Sequence, residues 1–298
     1  MLATLKSARI VLSRWLSLQQ GSGKSICGQK EVVKQIQTIK NRFELGFTEK
    51  ETQNFITNGY IIHKGLFSRE ECEDIKKYFN SGSLPEAKDW TKGRIATSKY
   101  IYNLASQDKI ICKLKALIGN DIILWGVKFI RKKQKQKHLW HVDIESSNST
   151  GNFVSVWIGL DNCTRKSSLN IISKSHNMQN LQNIIYENDL NRKNISDRDI
   201  LELSRQFNKD AMLIKLDITD GDAFFFNGKL WHSSYNKNRK TRIALLLQYA
   251  SSDSKVRIPD LKQLDWPFKF KKIPLPPTIL VSGKSIKNIN KIVQPPKN

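Results

Sequence analysis

His141 and Asp143 stand two residues apart in His138-Leu139-Trp140-His141-Val142-Asp143. On a β-strand that spacing points both side chains to one face. His232, in Leu230-Trp231-His232-Ser233-Ser234, offers a third ligand far downstream. Two histidines and one carboxylate on one side of a metal leave the other side open, which is the donor set of non-haem Fe(II) oxygenases. A lone His-x-Asp triplet is a weak signal, because a histidine satisfied by a nearby carboxylate is commoner. The conjunction is stronger. His141 and Asp143 fall on a predicted strand, His232 follows another strand after a turn, and Arg242 opens the next strand.

Arg242 has a chemical role in that setting. An Fe(II) site that splits dioxygen needs electrons, and 2-oxoglutarate is the usual co-substrate. It chelates the metal through its C1 carboxylate and C2 ketone. Its distal C5 carboxylate then calls for a bidentate cation, which arginine provides better than lysine. Arg242 is the candidate clamp, with the Ser234 hydroxyl beside it. The bland reading is a surface strand residue, since Arg239 and Lys240 stand close by.

These residues need a scaffold. Residues 30–58 have helical spacing of Val32, Val33, Ile36 and Ile39, and Gly59 to Phe67 reads as a short strand and turn. Ser68 and Glu71 form a capping box that starts a helix to about Phe79. Asp108 to Ile118 is a further helix, stopped by Gly119. From Asp121 the period shortens. Ile122–Arg131, Leu139–Ile144, Phe153–Leu160, Ser168–Ser173, Met212–Ile218, Ala223–Phe226 and Arg242–Ala250 read as strands separated by turn signals. Many short strands without alternating helices point to a sandwich or barrel, not a parallel βαβ sheet. Residues 177–211 form a polar helical insertion of the kind that serves as a lid or binding segment. The Pro-rich tail from 252 to 298 reads as an extended segment.

The chain has 298 residues and is 39% hydrophobic, enough for one large domain with a buried core. Its net charge of +23 favours an anionic partner or substrate, or else reflects lysines scattered over solvated faces. The densest basic run, Arg131 to Lys137, carries no interleaved aromatics, which disfavours nucleic acid. Because it immediately precedes the His-x-Asp motif, it is expected at the mouth of the site. The four cysteines form no Cys-x-x-Cys pair, so neither a zinc site nor a disulfide framework is signalled. That usage fits a reducing compartment, the cytoplasm. No apolar run reaches the roughly 20 residues of a membrane span. Residues 1–30 contain no acidic residue and read as a basic amphipathic segment. Three readings of it stay open: a helix on an anionic membrane surface, which would make the protein membrane-peripheral, a mitochondrial presequence, or a docked first helix. Gly21-Ser22-Gly23-Lys24-Ser25 imitates the end of a P-loop, but Leu18 occupies the required glycine position.

Several stretches together resemble the phytanoyl-CoA dioxygenase-type Fe(II)/2-oxoglutarate oxygenases, over about residues 50–251. They are Phe55 to Ile62 with Gly65-Leu66-Phe67-Ser68, Trp140-His141-Val142-Asp143, Val154 to Asp161, Leu169 to His176, Gly221 to Phe226 with Leu230 to Ser234, and Arg242 to Tyr249. One departure is Lys174, where the family usually has glycine. The resemblance implies a mainly β fold with flanking helices, a double-stranded β-helix (a cupin-like jelly roll). It implies iron held by His141, Asp143 and His232. It implies 2-oxoglutarate held by Arg242, with Ser234 and Trp157 lining its pocket and Lys128 near a variable pocket position. His176 resembles a structural strand-end position. His138 lies outside the pattern and reads as a loop residue. Related halogenases carry Gly or Ala at the carboxylate position, so the intact Asp143 favours hydroxylation.

The resulting layout is a basic segment at 1–30 and one dioxygenase domain at 31–298. That domain has a helical part to 120, a jelly-roll core at 121–251 interrupted by the 177–211 insertion, and the tail. The expected partners are dioxygen and a small-molecule substrate. Two other classes compete with the oxygenase: a non-catalytic jelly-roll binding protein with a relic metal site, and a basic protein that binds membrane surface or nucleic acid. The full ligand set with its arginine favours the oxygenase.

Overall fold

Helix starts are specified by short local signals. The computed structural model describes residues 45–82, 84–86, 92–144, 151–257, 275–286 and 288–297. Helix α1 (Glu49–Asn58) opens on a capping box between Thr48 and Glu51. Gly59 ends it with φ +86°, and a Cβ there would lie 2.5 Å from His176 Nδ1. Only glycine suits both the left-handed backbone and that close approach. Helix α2 (Arg69–Asn80) starts on the expected box of Ser68 and Glu71 and buries Cys72, Ile75 and Phe79. Helix α3 (Lys99–Ala105) was not legible in the sequence; α4 (Asp108–Ile118) has the predicted bounds.

The strands form two sheets. They are β1 (Tyr60–His63), β2 (Ile122–Lys132), β3 (Lys137–His141), β4 (Phe153–Asp161), β5 (Leu169–Ile172), β6 (Leu213–Lys215), β7 (Ala223–Asn227), β8 (His232–Tyr235), β9 (Arg242–Ser251), β10 (Pro277–Ser282) and β11 (Lys291–Ile292). The larger sheet runs β1-β7-β4-β9-β2-β10-β11 and the smaller β3-β8-β5-β6. The expected double-stranded β-helix with flanking helices is the observed fold. Two differences stand out. β8 went unrecognised because its four residues, His-Ser-Ser-Tyr, show no apolar alternation. Within the tail, β10 pairs antiparallel to β2 and β11 parallel to β10, while residues 258–274 of the expected extended segment lie outside the described residues.

The alternation of β4 and β9 separates two cores. Val154, Val156, Ile158, Leu245, Leu247 and Tyr249 pack outward with Ile75, Phe79, Ile110 and Leu114 of α2 and α4. Trp157, Ala244 and Leu246 turn inward and cluster with Leu169, Ile171 and Leu216 from the smaller sheet. Burial on this scale supplies the main favourable term in folding. The insertion carries α5 (Leu181–Glu187) and α6 (Asp197–Phe207). It packs against the smaller sheet, where Leu181, Ile184, Ile185 and Ile200 cluster with Trp140, Val142 and Trp231. Cys72, Cys112 and Cys163 are buried thiols. Among the described residues no helix is long and apolar enough to cross a membrane. Residues 1–30, and with them the membrane-surface, presequence and docked-helix readings, lie outside the described residues.

Candidate metal centre and co-substrate pocket

Two Trp-His pairs place the histidines. Trp140 and Trp231 enter the outer core of the smaller sheet, so His141 and His232, one residue on, turn inward. Arg192 Nη1 donates to the Trp140 carbonyl at 2.9 Å, and Trp140 Nε1 donates to Asp197 Oδ1 at 2.9 Å. The insertion therefore fixes the backbone that carries the first histidine.

His141 and His232 are direct partners across β3 and β8. Each ring places Nδ1 2.8 Å from the carbonyl two residues before it, Leu139 and Leu230 respectively. A carbonyl only accepts, so both Nδ1 atoms carry a proton and both Nε2 atoms are turned toward the site. Burial, with His232 and His138 nearby, holds the His141 imidazole well below its usual pKa, so it is neutral.

β3 ends at His141, so Asp143 lies just past the strand rather than on it. The alternation nevertheless persists, with Val142 in the outer core and Asp143 inward. The Asp143 amide donates to the Gly228 carbonyl at 2.9 Å. The Ser155 hydroxyl donates to Oδ2 at 2.5 Å. Oδ1 is left facing His141 Nε2 at 3.8 Å and His232 Nε2 at 3.7 Å. Those separations are too long for hydrogen bonds and leave the three atoms close enough for one ion to draw together. One ligand atom from each residue lies within 4.8 Å of the others. Two imidazole nitrogens, an oriented carboxylate and ordered outer partners suit a divalent metal with open positions.

The residues expected from the sequence to bind the co-substrate share this inner face. Arg242 is 1% exposed. Its Nη1 donates to the Ser167 carbonyl at 2.6 Å, and its guanidinium lies over the Trp157 ring at 5.2 Å. Its buried Nε has no hydrogen-bond partner among the described residues. Burial lowers its pKa to about 10. A buried guanidinium with a spare donor fits an anionic ligand. Ser234 sits on β8 in phase with His232 and opposite His138. Lys128 stands on β2 opposite Leu246, its pKa lowered by burial and raised in part by Asp143.

Sequence reading missed four residues here. His138 is on strand β3, not in a loop; a register irregularity between it and His141 brings the two rings to 4.3 Å. Lys132, in phase with Lys128, is the direct partner of Arg242. Its pKa is lowered to about 8 by burial, then by Arg242 and Lys128. Ser155 was signalled only by its phase with Trp157. Gln248, its partner on β9, is fully buried. The basic run Lys133 to Lys137 is exposed at the β2–β3 turn, beside this face.

The phytanoyl-CoA dioxygenase (PhyH) family model matches residues 55–244. No curated protein matches the sequence. Among solved structures, CytC3 with Fe(II) and alpha-ketoglutarate aligns with a TM-score of 0.57 at 17% identity, covering 84% of this chain and 93% of that one. The non-heme alpha ketoglutarate dependent epimerase SnoN from nogalamycin biosynthesis aligns with a TM-score of 0.59 at 15% identity, covering 80% and 98%. EctD from S. alaskensis, in its apoform, gives 0.57 at 15% identity, covering 84% and 88%. At these identities the likeness is one of fold.

Proposed function

The chain belongs to the phytanoyl-CoA dioxygenase (PhyH) family, and from that premise we propose that it is an Fe(II)- and 2-oxoglutarate-dependent oxygenase that hydroxylates a C–H bond of a small, anionic metabolite. The convergence of His141 Nε2, Asp143 Oδ1 and His232 Nε2 on one face carries this reading. Those three atoms hold the iron. Bound together, iron and 2-oxoglutarate supply the oxidising equivalents from dioxygen for attack on an unactivated C–H bond.

The chain's own residues do the rest. The Leu139 and Leu230 carbonyls lock both imidazole tautomers, and Ser155 orients the carboxylate. Arg242 receives the distal carboxylate of 2-oxoglutarate, with Trp157 under its guanidinium and Ser234 as a hydroxyl donor. Lys128 and Lys132 add positive charge to the same wall. The apolar residues Phe224, Phe226 and Leu246 exclude water from the reacting groups. Asp143 in place of a small residue supports hydroxylation over halide transfer. The anionic substrate is supported by three inner cations, Lys128, Lys132 and Arg242, facing a single carboxylate.

The reading is tested by succinate formation from 2-oxoglutarate with Fe(II), across acyl, amino-acid and sugar substrates. Turnover by the wild type and none by Asp143→Ala or His232→Ala is expected. Equal turnover in the variants would refute the ligand assignment.

A further inference from the structure

Gln248 is a buried amide on the inner face of the larger sheet, in phase with Arg242 and Leu246. It is fully buried. Its Oε1 accepts from Lys92 Nζ at 2.5 Å, while its Nε2 has no hydrogen-bond partner among the described residues. Leaving a buried amide donor unmade is costly, so its retention calls for a ligand. Lys92 precedes the short helical turn Gly93–Ala96. Its carbonyl accepts from Val127 at 3.4 Å, and its ammonium lies over the Trp125 ring at 4.9 Å. The contact needs a glycine opposite: a Cβ on Gly126 would lie 2.7 Å from Gln248 Oε1 and 3.1 Å from Lys92 Cδ.

The position of the pair follows from register. Gln248 is the partner of Ser155, whose hydroxyl holds Asp143. Arg242 starts six residues earlier on the same strand, about 20 Å away along β9, and turns its guanidinium to Trp157. Asp143 is thus linked through Ser155 to the Gln248 end of β9, with Arg242 at the opposite end of the same strand. With Oε1 engaged by Lys92, the Gln248 amide is left with N–H donors only.

We propose that Lys92 and Gln248 form a subsite for an anionic oxygen group, a carboxylate or phosphoryl group, of the substrate oxidised at the metal. The assignment of this group to the oxidised substrate rests on the oxygenase reading above. The anion subsite itself does not. An ammonium and an amide N–H fit one such group, and neither reads a neutral hydrocarbon.

Calorimetric titration of the full-length protein tests the subsite. Protein saturated with Mn(II) and 2-oxoglutarate is titrated with hexanoate, hexyl phosphate and hexanol, so the Arg242 clamp is already filled. Hexanoate or hexyl phosphate binds, hexanol does not, and Lys92→Met and Gln248→Leu each weaken the anion by at least about tenfold while 2-oxoglutarate affinity stays within about twofold. The tighter of the two anions identifies the group. The subsite is overturned if neither anion binds at millimolar concentration, if hexanol binds equally, or if both variants keep wild-type affinity. If 2-oxoglutarate itself does not bind, the oxygenase reading fails. The same titrations on metal-free protein then decide the anion subsite alone.

Discussion

His141 and His232 face each other across the β3–β8 ladder with ring centroids 4.1 Å apart, and each anchors Nδ1 to the carbonyl two residues before it. Both Nε2 atoms turn toward one carboxylate, an arrangement that a shared cation would join. Asp143 Oδ1 lies nearly equidistant from both, at 3.8 and 3.7 Å.

Ser155 orients Asp143 without touching the metal position. Ser155→Ala is expected to weaken Fe(II) binding by about 10–100-fold, with the fold intact. Metal titration followed by circular dichroism of the same samples checks this. Unchanged affinity would show that the 2.5 Å contact is incidental.

The proposed role of Arg242 is to set co-substrate affinity. Arg242→Lys keeps the charge but loses the planar fork, so 2-oxoglutarate binding should weaken by about 2–5 kcal/mol. Metal affinity should stay unchanged. Equilibrium dialysis with labelled 2-oxoglutarate separates the two effects.

Lys132 gives the pocket a pH response. Its pKa is lowered to about 8 by burial first, then by Arg242 and Lys128; His138 also faces it and is held neutral by burial. The charged form is present below about pH 8 and is lost above it. 2-Oxoglutarate affinity should therefore fall as pH rises through 8, and Lys132→Met should flatten that step. For stability the sign is opposite. Between the folded pKa and the ordinary lysine value the unfolded chain binds more protons, so the unliganded protein gains stability as pH rises. Thermal melts of wild type and Lys132→Met at pH 7 and 9 check this: the variant should gain most at pH 7.

Trp231 anchors the second ligand from behind. It is fully buried in the core formed with α5 and α6. Trp231→Ala should cost about 3–5 kcal/mol and should also loosen metal binding, because His232 is its neighbour. Urea unfolding gives the first quantity and metal titration the second.

Much of this was legible in the sequence because local signals and tertiary structure agree. The capping box at Ser68, the stop at Gly119 and the alternation of β4 and β9 each name their element, whereas the start of α1 at Thr48 was hidden inside a longer run of helical spacing. The spacing of His141 and Asp143 and the downstream His232 named the three side chains that the fold brings together. What escaped reading depends on non-local pairing. β8 is short and polar because its inner positions carry His232 and Ser234 rather than core residues. His138 seemed out of phase because an irregularity in the β3–β8 register, invisible in sequence, returns it to the site. Asp143 keeps its face although the ladder has already ended. Lys92 meets Gln248 across 156 residues, and neither side chain advertises the other.

The central claim is tested most directly by adding 2-oxoglutarate to the Fe(II)-loaded protein without oxygen. A weak visible charge-transfer band from the chelate should appear, and should be absent in Asp143→Ala and His232→Ala. No band in the wild type, together with no measurable 2-oxoglutarate affinity, would contradict the account.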